Sequence, residues 1–282
     1  MKLMPVLAAL LLVAACSPPG PVPPAPPATA RATAKDAPEP EPQPPPSSAN
    51  PFDPAELAKH AEPLPELPKA DPKSQVKALL PDKTLYLETL PDKSRRVLLV
   101  AEVCLREGPL EVLLCKNGTK EHESIIRTAV DARYIHAALI RAGAKPGSPV
   151  QFVNPKTNME DYKPATGTEI KVLVHYKMDG KLHTHPAQEW IADQMTKKPM
   201  AHRWVFAGSR LLNNPDRPND PPYYTANNGE VISISNFLDS MLEIPVAIGQ
   251  DNASLNFFAE MGKIPPLLSK VWVILEPVAP KK

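Results

Sequence analysis

The stretch RRVLLVAEVCLREGPLEVLLCK, Arg95 to Lys116, decides how the fold is read. Val97, Leu99, Ala101, Val103 and Leu105 alternate with Leu98, Val100, Glu102, Cys104 and Arg106, the two-residue period of a strand. Arg106-Glu107-Gly108-Pro109 follows, and Glu-Gly is a plausible two-residue tip. Leu110, Val112 and Leu114 continue the apolar face, while Glu111, Leu113 and Cys115 continue the mixed one. The pattern therefore predicts a tight β-hairpin over residues 97–116. In that register Cys104 stands opposite Glu111 and Cys115 opposite Val100. The sulfurs then share a face but lie about four residues, roughly 13 Å, apart along the ladder. A disulfide needs Cα atoms within about 7 Å, so the two cysteines are expected not to bond to each other.

Working outward, TLYLETL (84–90) reads as a strand before this hairpin. Downstream, VQFVN, GTEIKVLVHYKMDGKLHTHP, HRWVFAGSRLL and KVWVILEPV read as further strands, with Asp179-Gly180 as a hairpin turn. DARYIHAALIRAGAKPG carries the best helix signal. Asp131 is its cap, Tyr134, Ile135, Ala138, Leu139 and Ala142 form an apolar stripe, and Gly143 stops it. His136 in its middle is expected to be a satisfied structural histidine. PAQEWIADQM and the end of EVISISNFLDSML read as short helices. The expected fold class is α+β: mostly antiparallel sheet built from hairpins, with a few packed helices, in one compact domain behind a disordered tether.

The tether is read from the other end of the chain. MKLMPVLAALLLVAAC has one Lys, an apolar run of about a dozen residues, then small residues and Cys16, the pattern of an export signal. The run is shorter than the roughly 20 residues a spanning helix needs. Val13-Ala14-Ala15-Cys16 resembles a bacterial lipobox, which makes Cys16 the expected lipidation site and residues 1–16 a lipoprotein signal peptide. Acyl chains on Cys16 would hold the protein to a membrane facing periplasm or exterior. Of the 38 prolines in this 282-residue chain, 19 lie between Ser17 and Pro72, so half the proline sits in one fifth of the length. Within it, the stretch from Ser17 to Pro51 cannot bury enough apolar surface to offset its ordering entropy and favours extended polyproline II, whereas residues 52–77 are mixed in composition. Residues 17–80 are read as a proline-rich linker, with a short helix in PAELAKHAEP, and 81–279 as the folded domain. A net charge of +1 gives no reason to expect a nucleic-acid partner. The expected partners are the membrane and an envelope protein or small ligand.

No GxGxxG, Walker loop, HExxH, GxSxG, CxxC or EF-hand pattern occurs. Once Cys16 is lipidated two cysteines remain, too few for a thiolate-bound iron–sulfur cluster. Cys104, Cys115, His122 and Glu123 are the candidate ligand or metal residues, with Glu102, Glu111 and Lys120 nearby. Thiolate plus imidazole suits zinc or copper. A thiol near Lys and His is also a candidate nucleophile. The bland alternative makes the cysteines small buried residues and KEHES a solvated or capping segment. His183 and His185 share a strand face as a second, weaker pair. Gly208, Ser209 and Arg210 form a candidate turn offering donors to an anionic ligand. These motifs assemble no complete acid–base pair or activated nucleophile, so the expected function is a binding module rather than an enzyme.

KEHESI, YIHAALIRAGAKPG, HRWVFAGS and NNGEVISISNFLDSML together resemble the YdjY-type domain family, from about Arg96 to about Pro277. The resemblance implies an exported domain, often a lipoprotein, without an established activity. Some relatives carry ferredoxin-like labels, and this chain lacks the cysteine pattern such a label needs.

Overall fold

The computed structural model describes residues 53–152, 162–213, 215–248 and 256–279. The signal-like stretch, Cys16, the proline-rich chain to residue 52 and the end of the strand expected at VQFVN lie outside the described residues.

Among the described residues, eleven strands form the main sheet. They are β1 (Gln75–Ala78), β2 (Leu85–Thr89), β3 (Arg95–Val103), β4 (Val112–Lys116), β5 (Ser124–Thr128), β6 (Glu169–Met178), β7 (Lys181–Pro186), β8 (Trp204–Phe206), β9 (Ile232–Ser233), β10 (Leu242–Glu243) and β11 (Lys270–Pro277). Eight of them close a ring in the order β3-β11-β6-β8-β10-β9-β4-β5, and β5 returns to pair with β3. The molecule is thus a mostly-β closed barrel and not α+β with packed helices. Two α-helices occur among the described residues, α1 (Pro54–Ala58) and α2 (Ala132–Arg141). The expected helix in PAQEWIADQM is a single 3₁₀ turn at Ala187–Trp190 followed by a strand, Ile191–Asp193. The expected helix in SNFLDSML is a turn leading into β10. Each segment is too short to propagate a helix on its own, and the sheet supplies backbone partners instead.

The hairpin expected at 97–116 does not form. β3 and β4 do not pair, because β5 lies between them, antiparallel to β3 and parallel to β4. The connector turns outward with Gly108 at φ +113° and pairs elsewhere: Leu110 N–H donates to the Phe257 carbonyl, and Ala259 N–H to that of Gly108. The alternation itself holds. Val97, Leu99, Ala101 and Val103 enter the central core, whereas Leu98 faces a second cluster with Leu173, Trp272 and Ile274.

That second cluster explains the sequence of β3, β11 and β6. These strands are adjacent and buried on both faces, so they read as near-continuous apolar runs. Their inner face lines the barrel. Their outer face is covered by chain N-terminal to Pro81, where the domain was expected to begin. Leu64, Leu67 and Val76 pack there, and β1 pairs with β2. Burying Leu98, Leu173 and Ile274 on this face contributes roughly 1.5–3 kcal/mol each. α2 is capped by Asp131, whose side chain accepts from Arg133 N–H, and it packs Ile135, Ala138 and Leu139 inward, while Tyr134 is exposed. The Asp179-Gly180 turn joins β6 to β7 as expected, both residues at positive φ.

Candidate functional site

The insertion of β5 moves the thiols together. Cys104 follows β3 and donates its N–H to Ile125 O; Cys115 pairs with Arg127 on the far side of β5. Both are free, and each thiol shifts the titration of the other, so they are near neighbours rather than about 13 Å apart. Cys104 Sγ also donates to Ser124 O at 3.1 Å. The interaction with Cys115 and then burial hold the Cys104 thiol protonated, while the same interaction pulls the pKa of Cys115 below the ordinary thiol value.

His122 does not join them. It sits on a 3₁₀ turn, Glu121–Glu123, with 78% of its side chain exposed and its Nε2 3.8 Å from Glu123. Among the described residues no group of three or more His, Cys, Asp or Glu side chains is placed to hold a metal ion. Glu123 belongs to a different cluster, centred on Lys120. The ammonium lies 2.9 Å from Glu123, 3.1 Å from Glu111 and 3.5 Å from Glu230, and 4.1 Å from the centre of the Phe237 ring. Gly229 makes this approach possible: at φ +129°, a Cβ there would stand 2.9 Å from Lys120 Cγ and from Thr119 Oγ1. Burial opposes the charge on Lys120, but the carboxylates outweigh it and keep the amine protonated. Burial pushes the Glu111 and Glu230 carboxyls above their ordinary range, and Glu230 Oε2 has no hydrogen-bond partner among the described residues. Sequence reasoning named Lys120, Glu111 and Glu123 but missed Glu230 and Phe237. The signal was present, since KEHESI and NNGEVISISNFLDSML are the stretches that meet here.

The Gly208-Ser209-Arg210 turn runs from a buried Gly208 to an exposed Arg210. Gly208 N–H donates to Met241 O and Ser209 N–H to Ser240 O. Ser209 Oγ donates to Asp239 O at 2.6 Å, and Arg210 Nε to Asp239 at 3.0 Å. Its donors are taken up by the protein. His136 lies beside it, 2.7 Å from the Tyr224 hydroxyl, which donates to Gly208 O. Burial pushes the pKa of this imidazole below its ordinary value and so favours the neutral ring, as suits a structural histidine.

A recess of about 190 Å³ opens where β7 extends the inner face of β6 beyond the ring. The register pairs Tyr176 with His183 and Val174 with His185, and cross-strand partners share a face. Tyr176 therefore stacks on His183, centroids 5.3 Å apart, and His183 on His185 at 5.7 Å. Trp190 meets Tyr176 edge-on at 5.0 Å. Glu189 lies 3.4 Å from His185 and 3.9 Å from Lys263. The Tyr176 hydroxyl donates to Lys263 O at 3.1 Å, and burial pushes its pKa above the ordinary phenol value, partly offset by the Trp190 N–H. That indole N–H is buried without an acceptor in hydrogen-bond geometry. The histidines of HTHP were expected as a weak pair. The aromatic wall they complete comes from a strand pairing that sequence spacing does not reveal.

No curated protein and no solved structure matches this chain. The YdjY domain family model matches residues 90–276, from just before β3 to the end of β11. The chain belongs to the YdjY domain family.

Proposed function

We propose that this protein is a membrane-tethered binding module of the cell envelope, whose barrel takes a ring-bearing small ligand in the Tyr176–His183–His185 recess. Lipid on Cys16 is the anchor, and the proline-rich chain after it is the spacer. The carrying observation is the row of stacked rings lining an open recess with one carboxylate and one ammonium at its edge. Apolar walls with a few placed polar groups are the usual composition of a small-ligand site, and flat rings favour offset stacking on aromatic side chains. Titration with chitotriose and indole, read by tryptophan fluorescence, tests it. Saturable binding of either probe that is lost in His183→Ala/His185→Ala, with an unchanged melting temperature, supports the site. Absence of saturable binding by both probes to the folded wild type removes it. Palmitate labelling that disappears in Cys16→Ser, with release of the protein from membranes, tests the anchor.

A second reading rests on the adjacent thiols. Soft thiolates select Cu(I), and Cys104 with Cys115 would supply two on release of their protons to the solvent as the metal binds. Competition with bathocuproine, compared with Cys104→Ser/Cys115→Ser, distinguishes a copper-binding pair from two packed thiols.

A further inference from the structure

Residues Glu62 to Pro68, EPLPELP, are held on the outer face of β3, β11 and β6 without strand hydrogen bonding. Their conformation follows from covalent chemistry. Pro63, Pro65 and Pro68 have φ locked near −65°. Glu62, Leu64 and Leu67 each precede a proline and are driven into the β or polyproline II region. Only Glu66 is unrestricted, so the segment reaches the face already shaped as polyproline II.

The face is built to read that shape. Leu64 and Leu67 sit against Leu98, Leu173 and Trp272, and Tyr86 closes edge-on against Trp272, centroids 5.7 Å apart. The Trp272 indole N–H donates to Pro65 O at 3.0 Å. Arg96, only 7% exposed, donates from Nη2 to Pro68 O at 2.5 Å. At the near end Glu62 N–H donates to Ser269 Oγ at 2.9 Å and Glu62 O accepts from Lys270 N–H. An aromatic-lined groove with side-chain donors aimed at the carbonyls between prolines is how polyproline segments are recognised between proteins. The leucines set the choice of segment. The proline-rich chain from Ser17 to Pro51 contains no leucine, so it lacks the two anchors that 62–68 carries.

We propose that this outer face is a polyproline-recognition groove, occupied in cis by residues 62–68 and open in trans to a leucine-bearing proline-rich segment of a partner protein. The cis segment acts as a resident competitor whose release exposes the groove. This assignment is independent of the ring-binding recess.

The test uses the full chain. Lys69 and Lys73 are exposed beside the segment and offer trypsin sites that report its release. A blocked EPLPELP peptide, which itself lacks a trypsin site, is added in excess. If it binds the released face at about 0.1 mM, 1 mM peptide accelerates cleavage at Lys69 and Lys73 about tenfold, whereas blocked EALAELA does not. No acceleration at several millimolar, or equal acceleration by the proline-free peptide, overturns the proposal. As a second measurement, Leu64→Asp/Leu67→Asp releases the cis segment and should bind EPLPELP directly, at least tenfold more tightly than the wild type. Equal weak binding by both folded chains also overturns it.

Discussion

Arg96 and Lys120 are both cations set among carboxylates, yet their surroundings differ. Arg96 lies under the 62–68 segment, 2.6 Å from Glu88 and 3.0 Å from Glu276, with a third donor on Pro68 O. Glu88, fully buried, accepts in turn from Ala70 N–H and from Ser74. The planar guanidinium distributes its donors over three acceptors, and each acceptor belongs to a different stretch of chain. Lys120 is a point charge facing three carboxylates, and one oxygen of Glu230 is left without a partner. The first cluster joins the N-terminal segment to the barrel. The second concentrates negative charge at the rim, where burial already favours proton uptake by two of its acids.

The largest effect expected from breaking this comparison is at Arg96. Arg96→Met leaves Glu88 buried without a cation and Pro68 O without its donor. Loss of one member of such a pair costs about 3–5 kcal/mol, read by urea unfolding. A loss below about 1 kcal/mol would mean that the cluster contributes little to holding the segment.

Glu243 sharpens the contrast, because it is a buried carboxylate with no ion pair among the described residues. Val150 N–H and Asn236 Nδ2 donate to it at 3.0 and 3.1 Å, and its charge helps to raise the pKa of the Tyr162 phenol, after burial. Burial raises its pKa to about 7, only partly opposed by those donors. The folded value lies above the unfolded one, so the folded state holds the proton more tightly. The stability contributed is full below pH 4.5 and declines by about 3 kcal/mol as pH rises to 7. In Glu243→Gln that decline should vanish from the unfolding free energy measured between pH 4 and 8. An unchanged slope would place the titration elsewhere.

Lys120→Met should cost less, about 2 kcal/mol at pH 7, since its cluster is partly open to solvent. The loss should shrink as pH falls and Glu111 and Glu230 take up protons. A penalty that grows on acidification would contradict the reading of these acids. Glu230→Gln should have the smallest effect, within about 1 kcal/mol of the wild type at pH 7, because it removes a charge whose second oxygen has no partner. Thermal melts of the two variants side by side would rank them.

Much of the local structure was legible. The two faces of β3, the capped α2 and the Asp179-Gly180 turn follow from side-chain period, an Asx cap and positive-φ residues, all of which act within a few positions. The candidate sites were less so. KEHESI was marked for His122, but the chemistry gathers on Lys120, because its partners come from loops more than 100 residues apart in sequence. The 62–68 segment was read as linker because its composition cannot make a strand or helix. Its order comes from a face of β3, β11 and β6 to which it contributes nothing locally.

By itself the sequence determined which residues of each strand point inward, where turns and caps fall, and that residues 62–68 arrive as polyproline II, since these depend on backbone stereochemistry and near-neighbour spacing. Tertiary structure alone decided that β5 enters between β3 and β4, that the ring closes, and that Cys104 meets Cys115. Strand partners are selected by the total burial and hydrogen bonding of the whole barrel, and a two-residue period is the same whichever neighbour a strand acquires.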